Sequence, residues 1–243
     1  MLSDLIGFAV LLAYYLLFLF LIPVVLKKCL GVPNELVRKI QHVGYSLSIF
    51  LLLELFSMWY LAVGAVLLLI ILAYPFLFLV EETAWYKNSL VDRENKGGEL
   101  RKQLIYAELT FAILIFLFWG LLGSNWHYVA AVAVMAWGFG DAAAALIGKA
   151  FGRRRFLHSL IDKGKTYEGT AAMILFAGIG VFISLLLYAG KPWHISLVIS
   201  IIVAPICGLV ELFSRRGADT FTVPLSAALF ILTLDYLFTY LGW

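Results

Sequence analysis

The chain has 243 residues, 63% of them hydrophobic and 14% charged, with a formal net charge of +3 and a mean hydropathy of +0.98. Soluble domains carry roughly 45–50% apolar and 25% charged residues, so this composition excludes a soluble globular domain and marks an integral membrane protein. The small net charge reflects where Lys and Arg fall between the apolar runs and gives no case for nucleic-acid binding.

Apolar runs near the roughly 20 residues that cross a bilayer recur at 4–26, 43–58, 60–80, 104–123, 126–148, 170–190, 194–213 and 221–241. They predict eight transmembrane helices, or seven if 43–80 is one broken hairpin interrupted near Ser57. The runs are continuous rather than alternating, which sets aside a β-barrel. The expected fold is an all-α polytopic helix bundle forming one membrane domain over residues 1–243. In the first run, Asp4 precedes a long apolar stretch and Lys27-Lys28 follow it, so it is expected to stay as a helix rather than be cleaved as a signal peptide.

Of the 18 Lys and Arg residues, all but Lys191 fall in alternate inter-helix segments. Short cytoplasmic loops carry the positive excess, so both termini are expected to face outward and four loops the cytoplasm. In a prokaryote the membrane would be the plasma membrane. Cys29 and Cys207 are not placed for a structural disulfide, and no metal-binding Cys/His spacing is present.

Between the first two runs lies NELVRKIQH, in which Glu35, Arg38, Lys39 and His42 share one face if the segment is helical. Arg38 and Lys39 also fit orientation charges at the start of a span, with Glu35 favoured by the helix dipole. That reading leaves out His42, at the membrane margin. The 81–103 segment mixes Glu81, Glu82, Asp92, Glu94 and Glu99 with five basic residues, and Lys96-Gly97-Gly98 marks a turn; it reads as a solvated loop.

The fifth run ends in GFGDAAAALIGKAFGRRR, where Asp141 stands about two turns from the cytoplasmic mouth. A carboxylate at that depth is a functional-site hypothesis by default. Gly140 precedes it, and Asp141, Ala144, Gly148 and Gly152 share a small-residue face that another backbone or a phosphate chain could approach closely. Next, Lys163, Lys165, Thr166, Glu168, Gly169 and Thr170 bring cations, hydroxyls and a carboxylate to a helix start able to bind phosphate through free N–H groups. Gly164-Lys165-Thr166 is not a Walker A loop, because Ser159 stands where the pattern needs Gly. Arg153, Arg154 and Arg155 fit a lipid-headgroup patch as well as a catalytic role.

The last cluster is ELFSRRGADTFTVPL, with Glu211 inside the seventh run and Asp219 before the eighth. Asp219 fits a helix cap; with Asp141 and Glu168 it also fits a divalent ion bridging phosphates, since Mg2+ takes carboxylate oxygens plus phosphate and water. Glu54, Glu108 and Asp235 are further membrane acids with no role readable beyond helix–helix hydrogen bonds.

These blocks resemble the polyprenol kinase family of membrane enzymes, which includes dolichol kinase, phytol kinase and the CTP-dependent diacylglycerol kinase of fungi. Glu35-x-x-Arg38-Lys39-x-x-His42 is similar to its N-terminal signature. Gly140-Asp141-x-x-Ala144-x-x-x-Gly148-x-x-x-Gly152, followed by Lys165-Thr166-x-Glu168-Gly169-Thr170, is similar to its central one, and Gly217-x-Asp219-x-x-x-Val223-Pro224 to its C-terminal one. Thr220 stands where family members usually carry Asn.

The resemblance implies transfer of the γ-phosphate of CTP, or a related nucleotide, to the primary alcohol of a membrane lipid such as phytol, geranylgeraniol, a polyprenol or diacylglycerol. It implies Mg2+ on Asp141 and Asp219 with Glu168 assisting, charge stabilisation by Arg38, Lys39 and Lys165, and His42 or Asp141 orienting or deprotonating the alcohol. The lipid alcohol, the nucleoside triphosphate and the surrounding membrane lipids are the partners implied. Two rivals stand beside it: a phosphatidate cytidylyltransferase, whose central block is similar to residues 141–169, and a transporter using Glu54, Glu108, Asp141, Glu211 and Asp235 as an ion path. The short Ser214–Asp219 segment with its one Asp speaks against the first, and the one-sided placement of the motifs against the second.

Overall fold

The computed structural model describes residues 2–81, 83, 86, 99–215 and 217–242. The turn expected at Lys96-Gly97-Gly98, the charges Glu82, Asp92 and Glu94 with Lys87 and Arg93, and Arg216 lie outside the described residues. The described residues contain eight long helices: α1 Leu2–Lys28, α2 Asn34–Glu54, α3 Trp59–Val80, α4 Leu100–Leu121, α5 His127–Phe151, α6 Tyr167–Leu187, α7 Trp193–Phe213 and α8 Asp219–Tyr240. No strand occurs among them, only an isolated antiparallel bridge between Arg155 and Thr166.

Seven of the eight are long and apolar enough to cross a membrane; α2 falls short, having Glu35, Arg38, Lys39 and Glu54 in its 21 residues. Large apolar side chains such as Ile71, Leu79 and Leu187 stay exposed on these helices, as expected where lipid replaces water. The protein is a multi-pass integral membrane protein with an all-helical fold. Pro75, Pro205 and Pro224 sit inside α3, α7 and α8, which membrane helices accommodate because neighbouring groups satisfy the freed carbonyls.

The chain forms two compact units, Met1–Gly120 and Leu121–Trp243. In the first, α1 ends with Lys27 and Lys28 in its last turn, favoured there by the helix dipole, and Gly31 reverses the chain at φ 62°. α2 then starts at Asn34, nine residues earlier than the apolar run predicts, because Pro33 sets the helix boundary and the charged motif continues into the apolar segment as one helix. The break near Ser57 is real: α2 ends at Glu54 and α3 begins at Trp59. Asp4 fixes that turn, accepting from the Ser57 backbone N–H at 2.9 Å and its hydroxyl at 2.7 Å. Lower down, α1 packs tightly on α2, with the Phe18 ring against Gly44, Tyr14 donating to the Gly44 carbonyl at 2.6 Å and Gln41 to the Leu19 carbonyl at 3.0 Å.

In the second unit α5 is the most enclosed element, buried continuously from Tyr128 to Gly138. It packs against α6 and α8, and α6 in turn packs against α7. The α5–α6 seam is built on small residues: a Cβ at Gly140 would lie 2.5 Å from the Met173 sulfur, and one at Gly180 would lie 2.9 Å from the Met135 carbonyl oxygen. Tight approach of this kind is the usual membrane helix contact.

Candidate active site

In the first unit, the NELVRKIQH segment forms the opening two turns of α2, and its four charged or titratable residues lie on one face as their spacing requires. Arg38 pairs with Glu35 at 2.5 Å across one turn. Arg38 is only 9% exposed and Lys39 only 4%. Lys and Arg are rarely fully buried, so both cations are more enclosed than solvated charges at a helix start. His42, one turn beyond Arg38, is half-buried. Cations withdrawn from water act on a phosphate through a lower dielectric and are worth correspondingly more to it.

In the second unit, the small-residue face running on from Asp141 receives another backbone. A Cβ at Gly148 would lie 3.2 Å from Thr166 Oγ1, and one at Gly152 would lie 2.2 Å from the Gly148 carbonyl oxygen and 2.7 Å from Thr166 Cγ2. Gly169 closes the same contact, 3.0 Å from the Ala144 carbonyl oxygen by the same measure. Gly148, Gly152 and Gly169 therefore hold α5 against the start of α6, and Gly140 holds it against Met173 and Ala177 further along. Asp141 projects from this helix half-buried, with Gly140 before it and Ala142 after it both buried.

Residues 152–166 form a loop tied at both ends. The Tyr167 N–H donates to the Arg154 carbonyl at 3.1 Å, and the Phe156 N–H to the Lys165 carbonyl at 3.3 Å. Thr166 is the N-cap of α6, its hydroxyl accepting from the Gly169 N–H at 3.1 Å. Glu168 sits in the first turn and accepts from the Arg154 N–H at 3.4 Å. Arg153, Arg154, Arg155 and Lys163 are exposed.

Lys165 reaches the end of α7. Its ammonium pairs with the Glu211 carboxylate at 2.9 Å and donates to the carbonyls of Glu211 and Ser214. A cation there satisfies the last carbonyls of the helix. Arg215 likewise donates to the Leu160 carbonyl at 2.9 Å and to that of Ser159. At the start of α8, Asp219 is half-buried in the first turn beside Thr220, and Thr222 bonds Ser214 Oγ at 2.6 Å. The second unit thus brings Thr166, Gly148, Gly152 and Gly169 into one contact and Lys165 to Glu211. Among the described residues, no group of three or more His, Cys, Asp or Glu side chains converges as a metal cage. Mg2+ needs none, taking one or two carboxylates and completing its shell with phosphate and water; Asp141 and Asp219 are each half-buried.

Two features escaped the sequence reading. One is a groove of about 480 Å3 between the 152–166 loop and α7, lined by Phe156, Leu157, Tyr167, Leu212 and Phe213, with Phe156 and Tyr167 stacked at 3.9 Å. Aromatic and aliphatic residues are too abundant in this chain to mark it. The other is the pairing of Asp235 with Lys191 at 2.7 Å and with Tyr128 at 2.7 Å.

No family model matches the chain, and no solved structure matches it. A curated relative does: the phytol kinase of Synechocystis sp. is 32% identical over 209 residues, covering 84% of this chain and 82% of the relative. That likeness joins the three motif blocks and the helical membrane architecture. The chain belongs to the polyprenol kinase family, membrane phosphotransferases with an alcohol group as acceptor.

Proposed function

We propose that this protein transfers the γ-phosphate of CTP to the primary alcohol of a membrane isoprenoid such as phytol, geranylgeraniol or a polyprenol, on the cytoplasmic side of the membrane. Within a chain of this family, the observation that carries the reading is the burial of Arg38 and Lys39 on the same face of α2 as His42. Buried cations beside a titratable ring suit a reaction that moves a multiply charged phosphoryl group onto a hydroxyl.

In the reaction the alcohol oxygen forms a bond to Pγ, the Pγ–O bond to the β-phosphate breaks, CDP leaves, and the hydroxyl proton passes to a base. Phosphoryl transfer depends chiefly on positioning and charge neutralisation. Arg38 and Lys39 neutralise the phosphoryl oxygens, and Glu35 holds the Arg38 guanidinium in place through the 2.5 Å pair. Asp141 and Asp219, with Glu168 assisting, would hold Mg2+, which would supply charge neutralisation on the nucleotide phosphates. His42 or Asp141 orients the alcohol and takes its proton. Lys165 contributes by fixing the loop that carries Thr166 and Glu168.

The test is product analysis with purified protein, Mg2+ and CTP, ATP or UTP, offered phytol, geranylgeraniol, a long polyprenol, diacylglycerol and phosphatidate. An isoprenyl monophosphate with CDP as co-product is expected. A CDP-lipid with pyrophosphate would assign the chain to cytidylyl transfer instead.

A further inference from the structure

Within the first unit a second polar group lies deeper along α2. Glu108 of α4 is fully buried, and its polar neighbours are the hydroxyls of Tyr45 on α2 and Tyr15 on α1. Tyr15 is satisfied by Ser48 Oγ at 2.9 Å, and Ser48 in turn donates to the Tyr45 carbonyl at 2.7 Å. Among the described residues no partner meets strict hydrogen-bond geometry at either Glu108 oxygen or at the Tyr45 hydroxyl, although all three are shut off from solvent and the Tyr45 and Tyr15 hydroxyls stand close enough to the carboxyl to interact with it. The aromatic rings around them are ordered: Tyr45 stacks on Tyr15 at 5.3 Å and on Phe111, one turn along α4 from Glu108, at 5.5 Å. Buried polar atoms are nearly always satisfied by protein or by something bound, and an acid inside a membrane protein marks a functional site by default.

The position of the pair suggests its occupant. Tyr45 lies one turn beyond His42 on α2, and His42 one turn beyond Arg38, so side chains on this face are about 5–6 Å apart at Cβ from one to the next. A group held by Glu108 and Tyr45 lies next to the His42 ring, one of the two candidates to take the acceptor's proton. An isoprenoid alcohol has one polar atom, a hydroxyl that both donates and accepts. Glu108 offers an acceptor and Tyr45 a donor.

We infer that Glu108 and Tyr45 bind the hydroxyl of the acceptor alcohol as it docks, Glu108 accepting the hydrogen bond from its O–H and Tyr45 donating to its oxygen, and that the O–H turns from Glu108 to the base, His42 or Asp141, for the transfer step. This rests on the lipid-kinase reading above and adds to it the residues that select a hydroxyl headgroup from the bilayer. Along α2 the order is then phosphate-facing cations, titratable ring and alcohol-binding hydroxyl.

The test uses the full-length protein in detergent, with Glu108→Gln and Tyr45→Phe, reading steady-state kinetics and direct binding of tritiated geranylgeraniol without nucleotide. Each variant is expected to raise the alcohol KM and its Kd about tenfold, the worth of one hydrogen bond, with the nucleotide KM within about twofold. Thermal stability of each variant within about 2 °C of the parent shows that the fold is intact; should Glu108→Gln fail to fold, Tyr45→Phe carries the test alone. An unchanged alcohol Kd, as when these atoms serve only a buried water, overturns the inference, and so does an equal rise in both KM values. If the parent binds the alcohol through these residues but phosphorylates none, the kinase reading falls and the hydroxyl site stands.

Discussion

Lys191 and Asp235 offer the sharpest energetic test of the fold. Lys191 lies in the turn after α6, where Gly190 takes φ 64° and the Lys191 N–H closes back on the Leu185 carbonyl at 3.0 Å, a glycine-based helix stop. This geometry aims the ammonium at Asp235 in α8, 2.7 Å from Oδ1 and 2.8 Å from Oδ2, while Tyr128 at the start of α5 donates to Oδ2 at 2.7 Å. The Lys191 ammonium also lies 5.4 Å from the centroid of the Tyr128 ring. The Asp235 side chain is 4% exposed and that of Lys191 26%.

Removing one partner of a buried pair costs about 3–5 kcal/mol because the other charge is left uncompensated. The partial exposure of Lys191 lowers that to about 2–3 kcal/mol for Lys191→Met, a fall in Tm of roughly 5–10 °C at 2–4 °C per kcal/mol. Asp235→Asn keeps the Tyr128 hydrogen bond and leaves a quarter-exposed ammonium able to turn to water, so it costs less, about 1–2 kcal/mol. The double variant Lys191→Met/Asp235→Asn should be more stable than Lys191→Met alone, with a coupling of about 2 kcal/mol. Thermal unfolding in detergent reads all three. A Lys191→Met protein melting within 1 °C of the parent, or single effects that simply add, would refute the reasoning.

Gly152→Ala should lower stability by about 2 kcal/mol and activity with it, since its Cβ meets backbone and the Thr166 cap, while Gly64→Ala in α3, whose Cβ meets nothing within 4 Å among the described residues, should be neutral or slightly stabilising; the two melting curves decide. Thr166→Ala should cost about 1 kcal/mol through the lost cap and Thr166→Ser much less, read by the same melts. Lys165→Met should destabilise by leaving Glu211 buried beside the α7 terminus, and adding Glu211→Gln should restore the melting temperature. Kinase activity that returns with stability confines Lys165 to positioning the loop, whereas activity that stays low places it on the phosphates.

Sequence and structure agree where the signal is local. Apolar runs fix the helices, and the break at Ser57 and the shared face of Glu35, Arg38, Lys39 and His42 follow from spacing alone. Length was harder to read. α2 begins at Asn34 and α5 runs on to Phe151, because a charged or glycine-containing turn can stay helical when its polar groups find partners inside the fold. The acids Glu108 and Asp235 were visible but uninterpretable, since their partners lie far along the chain: Tyr128 is 107 residues from Asp235, and the neighbours of Glu108 come from α1 and α2. Lys165 shows the converse. Its Lys-Thr motif was legible, while its pairing with Glu211, 46 residues away, needed the folded chain.

The central claim is tested most directly by incubating purified protein with γ-labelled CTP, Mg2+ and geranylgeraniol or phytol, alongside Asp141→Asn and the double variant Arg38→Gln/Lys39→Gln. The account predicts label on the isoprenyl phosphate with the parent protein and a loss of at least a hundredfold with either variant at unchanged melting temperature, as expected when charge stabilisation of the transition state is removed. Full turnover by Asp141→Asn, or no label on any alcohol under conditions where the parent is folded, would contradict it.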